Sequence, residues 1–251
     1  AAGLTRGGTG STRGGLLLYS SGTFTLGVPA TNPLYFDRFV LATGTTGLSM
    51  GGTTIGGTGV VSSGSGMVAP WIIDATDNTF VGYNPSKGGF GMDTGFQPLI
   101  SYTATPGVGQ LAYTGSYSSG TIPALTGVEI IDITGAVTQT NNVNAYALRT
   151  NSNISGGTST ITLQGGGLIA TATLTISTPI VVPAGGVTGG ELVVYSGVTN
   201  VVPTLSGSIT ATGITKMGAG TLTLSADNRG TLTGDVVATY NAGNGQNYVI
   251  P

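Results

Sequence analysis

The chain contains no cysteine and no histidine. Disulfide staples and thiolate or imidazole metal sites are therefore excluded, and any catalytic chemistry would have to rest on Asp and Glu. Charge is almost as scarce. Seven Lys and Arg and nine Asp and Glu make up 6% of the 251 residues, against about 25% in an ordinary globular protein. The basic residues Arg6, Arg13, Arg38, Lys87, Arg149, Lys216 and Arg229 are scattered, and the net charge is −2. No electrostatic footprint for nucleic acid or an anionic membrane results. No run of about 18 apolar residues occurs, so no spanning helix and no membrane insertion of this segment are expected. The opening AAGLTRGGTG has no hydrophobic signal core. The expectation is a removed signal or a piece of a longer chain.

What is abundant is glycine, at 46 residues, and threonine, at 42, alongside a hydrophobic fraction of 39% that can build a core. Threonine is β-branched and suits strands, and glycine suits tight corners, so the composition reads as strand and turn. Thr-apolar-Thr-apolar occurs four times, at 23–26, 160–163, 173–176 and 221–224. Alternation at period two puts the apolar set on one face and threonine on the other. Each Gly-bounded strand is too short to bury its apolar face alone. Stacked in register about 4.8 Å apart, such strands share one aliphatic column, and outward threonines replace charge as the solubilising surface. The expected fold is all-β: a parallel β-solenoid over 1–251, of about ten to twelve coils at roughly 20 to 25 residues each. It would give a rod about 50 to 60 Å long. The spacing of the echoes is uneven, so no strict coil length can be read. A β-sandwich or jelly roll is the alternative. A membrane β-barrel needs about ten residues per strand and aromatic girdles, which this chain lacks.

The stretch 67–102 differs. It gathers Trp71, Phe80, Tyr83, Phe90, Phe96 and Tyr102 with Asp74, Asp77, Lys87 and Asp93. It reads as an aromatic-rich insertion or a set of broader coils. Its rings could stack on sugars, which makes Trp71, Tyr83 and Tyr102 the candidate glycan contacts, or they could form a satellite core. Asp74-Ala75-Thr76-Asp77-Asn78 could offer oxygens to calcium, but it fits no EF-hand or nonapeptide spacing, and an Asx-turn is the plainer reading. The acid pairs Asp74/Asp77 and Glu129/Asp132 are the places to look for a two-carboxylate glycosidase. Acids solvating turns are the plainer account, and no catalytic, metal-binding or cofactor-binding residue is assigned. The Gly-rich 51–66 lacks the Lys-Ser/Thr of a phosphate loop, and Asn153-Ile154-Ser155 is a formal glycosylation sequon.

One phrase is more specific. Ile214-Thr215-Lys216-Met217-Gly218-Ala219-Gly220-Thr221-Leu222-Thr223-Leu224-Ser225, then Asn228 and Thr233-Gly234, resembles the autotransporter-associated β-strand repeat, also called the passenger-associated transport repeat. Arg229-Gly230 departs from the Thr-Tyr pair common there. Ala69-Pro70-Trp71, Val143-Asn144 and Leu148-Arg149 extend the likeness to the layout of long surface proteins carrying that repeat. The motif itself covers 213–234. The resemblance implies a right-handed parallel β-helix, export to the cell surface and a structural or adhesive passenger, and it brings no catalytic residues. The resulting expectation is a non-enzymatic, extracellular stalk, fibre or coat segment of a bacterial surface protein. Its partners would be further coils or other copies of itself, joined end to end. The alternatives are a glycan-binding module or a β-helical polysaccharide-active enzyme of phage-tail type.

Overall fold

The computed structural model describes residues 111–239 continuously apart from position 187. It also describes 67, 70, 72–74, 77–83 and 96–104, with strands at 16–18, 23–27, 39–41, 47–51 and 247–250. The described residues are all β without a helix, and their parallel strands stack into a right-handed β-solenoid of about six turns. That is the architecture the glycine-bounded threonine strands led us to expect, and it displaces the sandwich alternative. By packing, the chain divides into two compact units, Ala1–Ile100 with Ala104–Ala112, and Ser101–Thr103 with Tyr113–Pro251.

The first unit contains β1 (Leu16–Leu18), β2 (Thr23–Gly27), β3 (Phe39–Leu41), β4 (Gly47–Gly51), β5 (Ile72–Asp74), β6 (Thr79–Tyr83) and β7 (Phe96–Pro98). β1, β3 and β5 pair in parallel, as do β2 and β4. β5, β6 and β7 then run back and forth as an antiparallel meander. Met67, Ile73, Phe80, Val81 and Leu99 are buried there. Thus 67–102 includes antiparallel pairing, whereas the ladders of the second unit are parallel up to their last strand.

The second unit holds β8 (Gly115–Tyr117), β9 (Ile130–Ile133), β10 (Val137–Thr138), β11 (Val143–Thr150), β12 (Ile154–Ser155), β13 (Ile161–Ala170), β14 (Leu174–Ile176) and β15 (Ile180–Val181). It continues with β16 (Glu191–Tyr195), β17 (Pro203–Leu205), β18 (Ile209–Thr210), β19 (Gly213–Met217), β20 (Thr223–Leu224), β21 (Val236–Thr239) and β22 (Asn247–Ile250). Three ladders wrap one interior. A long face stacks β8, β9, β11, β13, β16, β19 and β21, and β22 closes it antiparallel to β21. A narrow face stacks β10, β12, β14, β17 and β20. A third face joins the first halves of β11 and β13 to β15 and β18.

Aliphatic columns from the three faces meet inside: Ile131, Leu148, Leu168 and Val194; Val137, Ile154, Ile176 and Leu205; and Val143, Ile161, Ile180 and Ile209. One charged residue, Lys216, stands in the extension of these columns, in register with Val194. The stack rests on apolar burial at about 25 cal/mol per Å² and on backbone bonds between coils. On the narrow face the strands alternate, buried then exposed, as the Thr-apolar pattern demands. The long face is different. Ile130, Ala147, Val193 and Val237, which point away from the interior, are buried as well. Its strands accordingly read as nearly continuous apolar runs, the pattern of a sheet covered on both sides.

The coil length varies with the corners. Gly115 pairs with Ile131, a rise of 16 residues, whereas Leu174 pairs with Pro203, a rise of 29. One corner forces a bulge: Ala145 pairs with Leu163 but Ala147 pairs with Gly167, so Tyr146 faces Gln164-Gly165-Gly166. Gly166 has φ +70°, and a Cβ there would collide with the Glu191 carbonyl, so glycine is required on both counts.

Candidate functional site

Each of the sequence-flagged acids that the structure describes has a place. Asp74 ends β5 and is buried, while Asp77 is exposed in the hairpin turn that Asn78 completes with φ 49°. Asn tolerates that left-handed backbone, so Asp77 and Asn78 form the turn that leads into β6. Glu129 folds back on its own turn. Its carboxylate accepts from Thr126 N and Oγ1, Gly127 N and Val128 N at 2.7–3.1 Å. Burial works to raise its pKa, but these donors hold it below the usual carboxylate range. Asp132, one coil below Arg149 in register, accepts from Arg149 Nη1 at 2.9 Å. Burial raises the Asp132 pKa and Arg149 opposes that rise. The Arg149 guanidinium also lies 5.9 Å from the Tyr113 ring centroid, the arrangement of a cation–π contact. Both members of the Glu129/Asp132 pair are thus engaged in holding coils and turns together.

The candidate glycan contacts are distributed unevenly. Trp71 lies outside the described residues, and of Tyr83 only the backbone is described, paired with Phe96 at the end of β6. Tyr102 is 55% exposed. Tyr117, on β8, has a phenol raised first by burial, then by the nearby charge of Glu129 and by Tyr102. Tyr102 and Tyr117 therefore stand within electrostatic reach of one another.

Three structural roles were not visible in the sequence. Corner amides replace backbone partners: Asn142 Oδ1 accepts from Thr160 N at 3.0 Å, Asn153 Oδ1 from Thr175 N at 2.8 Å, and Asn228 Oδ1 from Ile209 N at 2.7 Å. Gln139 serves both ways, accepting from Ile122 N and donating to Ile122 O. Lys216 of the repeat phrase sits in the inward column, in register with Val194 and Ala238. Its Nζ donates to the Met217 and Gly218 carbonyls at 2.8 Å each, and burial holds its pKa down at about 8. The two glycines of the same phrase, Gly218 and Gly220, close on Ser196 of the preceding coil, where a Cβ on either would collide.

The narrow face carries the most regular arrangement. Outside its inward aliphatic column, Thr175, Thr204 and Thr223 form one column in register. Thr138, Ser155, Ser177, Ser206 and Ser225 form a second, one residue beyond the inward position of each coil. The backbone bonds Ser177 N to Ile154 O, Ser206 N to Ile176 O and Ser225 N to Leu205 O hold that register at 2.8–3.1 Å. No ionisable residue stands in either column.

The fold and these contacts define a β-solenoid whose described charged groups mostly serve as structural ties. Among the described residues, no group of three His, Cys, Asp or Glu side chains converges, and no helix is long and apolar enough to cross a membrane. No family model matches the chain, and neither the curated proteins nor the solved structures compared with it give a match.

Proposed function

We propose that the chain is a non-enzymatic structural or adhesive module of an exported bacterial surface protein, serving as part of a stalk, fibre or coat outside the cell. The observation that carries this reading is the continuous coil-to-coil stack, in which Glu129, Asp132, Arg149 and Lys216 are all tied into backbone or inter-coil contacts. A stack of this kind resists bending and proteolysis because each coil is held by its neighbours. The likeness of 213–234 to the autotransporter-associated repeat points the same way. Leu222, Leu224 and Leu232, near the last coil, pack against the core only in part. They suit continuation by further coils or end-to-end docking of another copy, a contact between unlike surfaces that propagates as a filament. The deciding experiment is antibody labelling of intact native cells, paired with protease shaving. Labelling and release of the chain are expected, and confinement to the cytosolic fraction overturns the reading.

Tyr102, a large ring left exposed, favours glycan adhesion as the second reading. A glycan array with the wild type, Tyr102→Ala and Trp71→Ala tests it. Binding lost in Tyr102→Ala supports adhesion through these rings, and no binding by the wild type removes it.

A further inference from the structure

We infer that the narrow face is an ice-binding surface, its two hydroxyl columns acting as a template for tetrahedrally bonded water. The argument begins with spacing. Strands in register repeat every 4.7–4.9 Å, roughly, and parallel pairing imposes that repeat on Thr175, Thr204 and Thr223. A hydroxyl–water bond is about 2.7–2.8 Å long. Two oxygens bonded to one tetrahedral water therefore stand about 4.5 Å apart. One water can bridge hydroxyls on successive coils with nearly ideal angles, and its remaining bonds extend the same lattice outward. The mismatch is about 0.3 Å per coil. Over the three coils of the threonine column it accumulates to about 0.6 Å, which small side-chain rotations absorb.

Rigidity comes next. Ile154, Ile176 and Leu205 fill the interior directly beneath the face and are buried, so the backbone carrying the hydroxyls is fixed. Threonine adds a stiff χ1 and a methyl group that shields the hydroxyl. Thr138, Ser155, Thr175, Thr223 and Ser225 are exposed. The hydroxyls of Thr175, Thr204 and Thr223 have no protein partner among the described residues and remain for solvent. In the second column Thr138 Oγ1 and Ser155 Oγ are themselves 3.1 Å apart and share a hydrogen bond, which makes the threonine column the primary template.

Charge selects the occupant. An ionic group orients water radially around itself and breaks a tetrahedral lattice. The two columns contain none, in contrast to the corner just beyond, where Asp227 and Arg229 pair at 2.7 Å. A face so neutral and periodic suits an uncharged periodic partner, and the repeat set by the coils is that of bonded water.

The test uses the full chain in slowly growing ice, reading its partition between ice and liquid, with inhibition of ice recrystallisation as a second readout. The wild type is expected to concentrate in the ice fraction. Thr175→Lys and Thr204→Val should each cut that enrichment about tenfold, while Thr210→Lys on the third face leaves it unchanged. Circular dichroism verifies that each variant is folded. Exclusion of the wild type from ice overturns the proposal. So does full enrichment of a folded Thr175→Lys, or retention on microcrystalline cellulose or chitin without enrichment in ice, which would assign the face to a polysaccharide.

Discussion

Truncating Ile176 tests whether the stack is what holds the chain together. Ile176 is wholly buried and pairs in register with Ile154 on one side and Leu205 on the other. Ile176→Ala removes three carbons, worth about 2.4 kcal/mol at about 0.8 kcal/mol each. The neighbours above and below are pinned by backbone bonds and cannot collapse into the gap. A residual cavity of about 60 Å³ then adds roughly 1.5 kcal/mol, for a total near 4 kcal/mol. The second unit has about 140 residues, and unfolding entropy of about 2.1 cal/mol/K per residue converts this loss to a fall in Tm of about 13 °C. Thr175→Ala, on the adjacent outward position, should change stability by about 0.5 kcal/mol or less. Calorimetry of both variants beside the wild type makes the measurement. Equal Tm values for Ile176→Ala and Thr175→Ala would refute the inward–outward assignment on which the solenoid interior rests.

Three further outcomes follow from particular contacts. Lys216 releases its proton near pH 8 when folded and near its ordinary value of 10.5 when unfolded. Between those values the unfolded state holds the extra proton, so stability should rise with pH by about 3 kcal/mol across the window and be lost again as pH falls through 8. Denaturant titrations at pH 7 to 10.5 should show that slope in the wild type and a flat response in Lys216→Met. Arg149→Met leaves the Asp132 carboxylate buried without its partner and should cost about 3 kcal/mol at pH 7. Because burial raises the Asp132 pKa, that deficit should shrink as acid neutralises the carboxyl, as melting curves at pH 4 and pH 7 would reveal. Gly218 has φ +82°, and a Cβ there would strike the Ser196 carbonyl. Gly218→Ala should therefore destabilise by about 1–3 kcal/mol, whereas Gly157→Ala, with open space around it, should stay within about 0.5 kcal/mol of the wild type in urea unfolding.

Period two was legible because an inward aliphatic flanked by outward hydroxyls is a local property of three or four residues. Coil length was not, because it is set by corners. The echoes at 160 and 173 stand 13 apart since one lies on the third face, in the first half of β13, and the other on the narrow face, in β14, with the long-face half of β13 between them. The echo at 221 stands 48 beyond the one at 173 since Thr175 pairs with Thr204 and Thr204 with Thr223, two coils in all. The uneven repeat is thus a regular stack sampled on different faces. Dividing the length by an average coil suggested ten to twelve turns, against about six among the described residues. Coil length does not make the difference, since the long-face register climbs from Gly115 to Ala238 in steps of 16 to 26 residues; in the first unit the antiparallel meander from β5 to β7 adds no turn.

The long face escaped a period-two reading for a separate reason. Its strands are buried on both sides, so IIDI, ELVVY and GITKM show no alternation to detect. The same blindness hid Lys216, whose charge suggests a surface position while its register with Val194 places it inward. In a parallel ladder the register decides a residue's environment, and one sequence carries no direct record of register.

The amides mark the limit of local reading most sharply. Asn228 belongs to the repeat phrase, yet its side-chain oxygen meets Ile209 N, 19 residues earlier. Asn142 and Asn153 reach forward by 18 and 22 residues to Thr160 N and Thr175 N. In each case a side-chain carbonyl stands where a strand backbone would otherwise accept, so an N–H at a corner is satisfied without lengthening a strand. Short strands and amide-rich corners are therefore one device: the chain can turn every few residues because the corner side chains finish the hydrogen bonding that the strands leave undone.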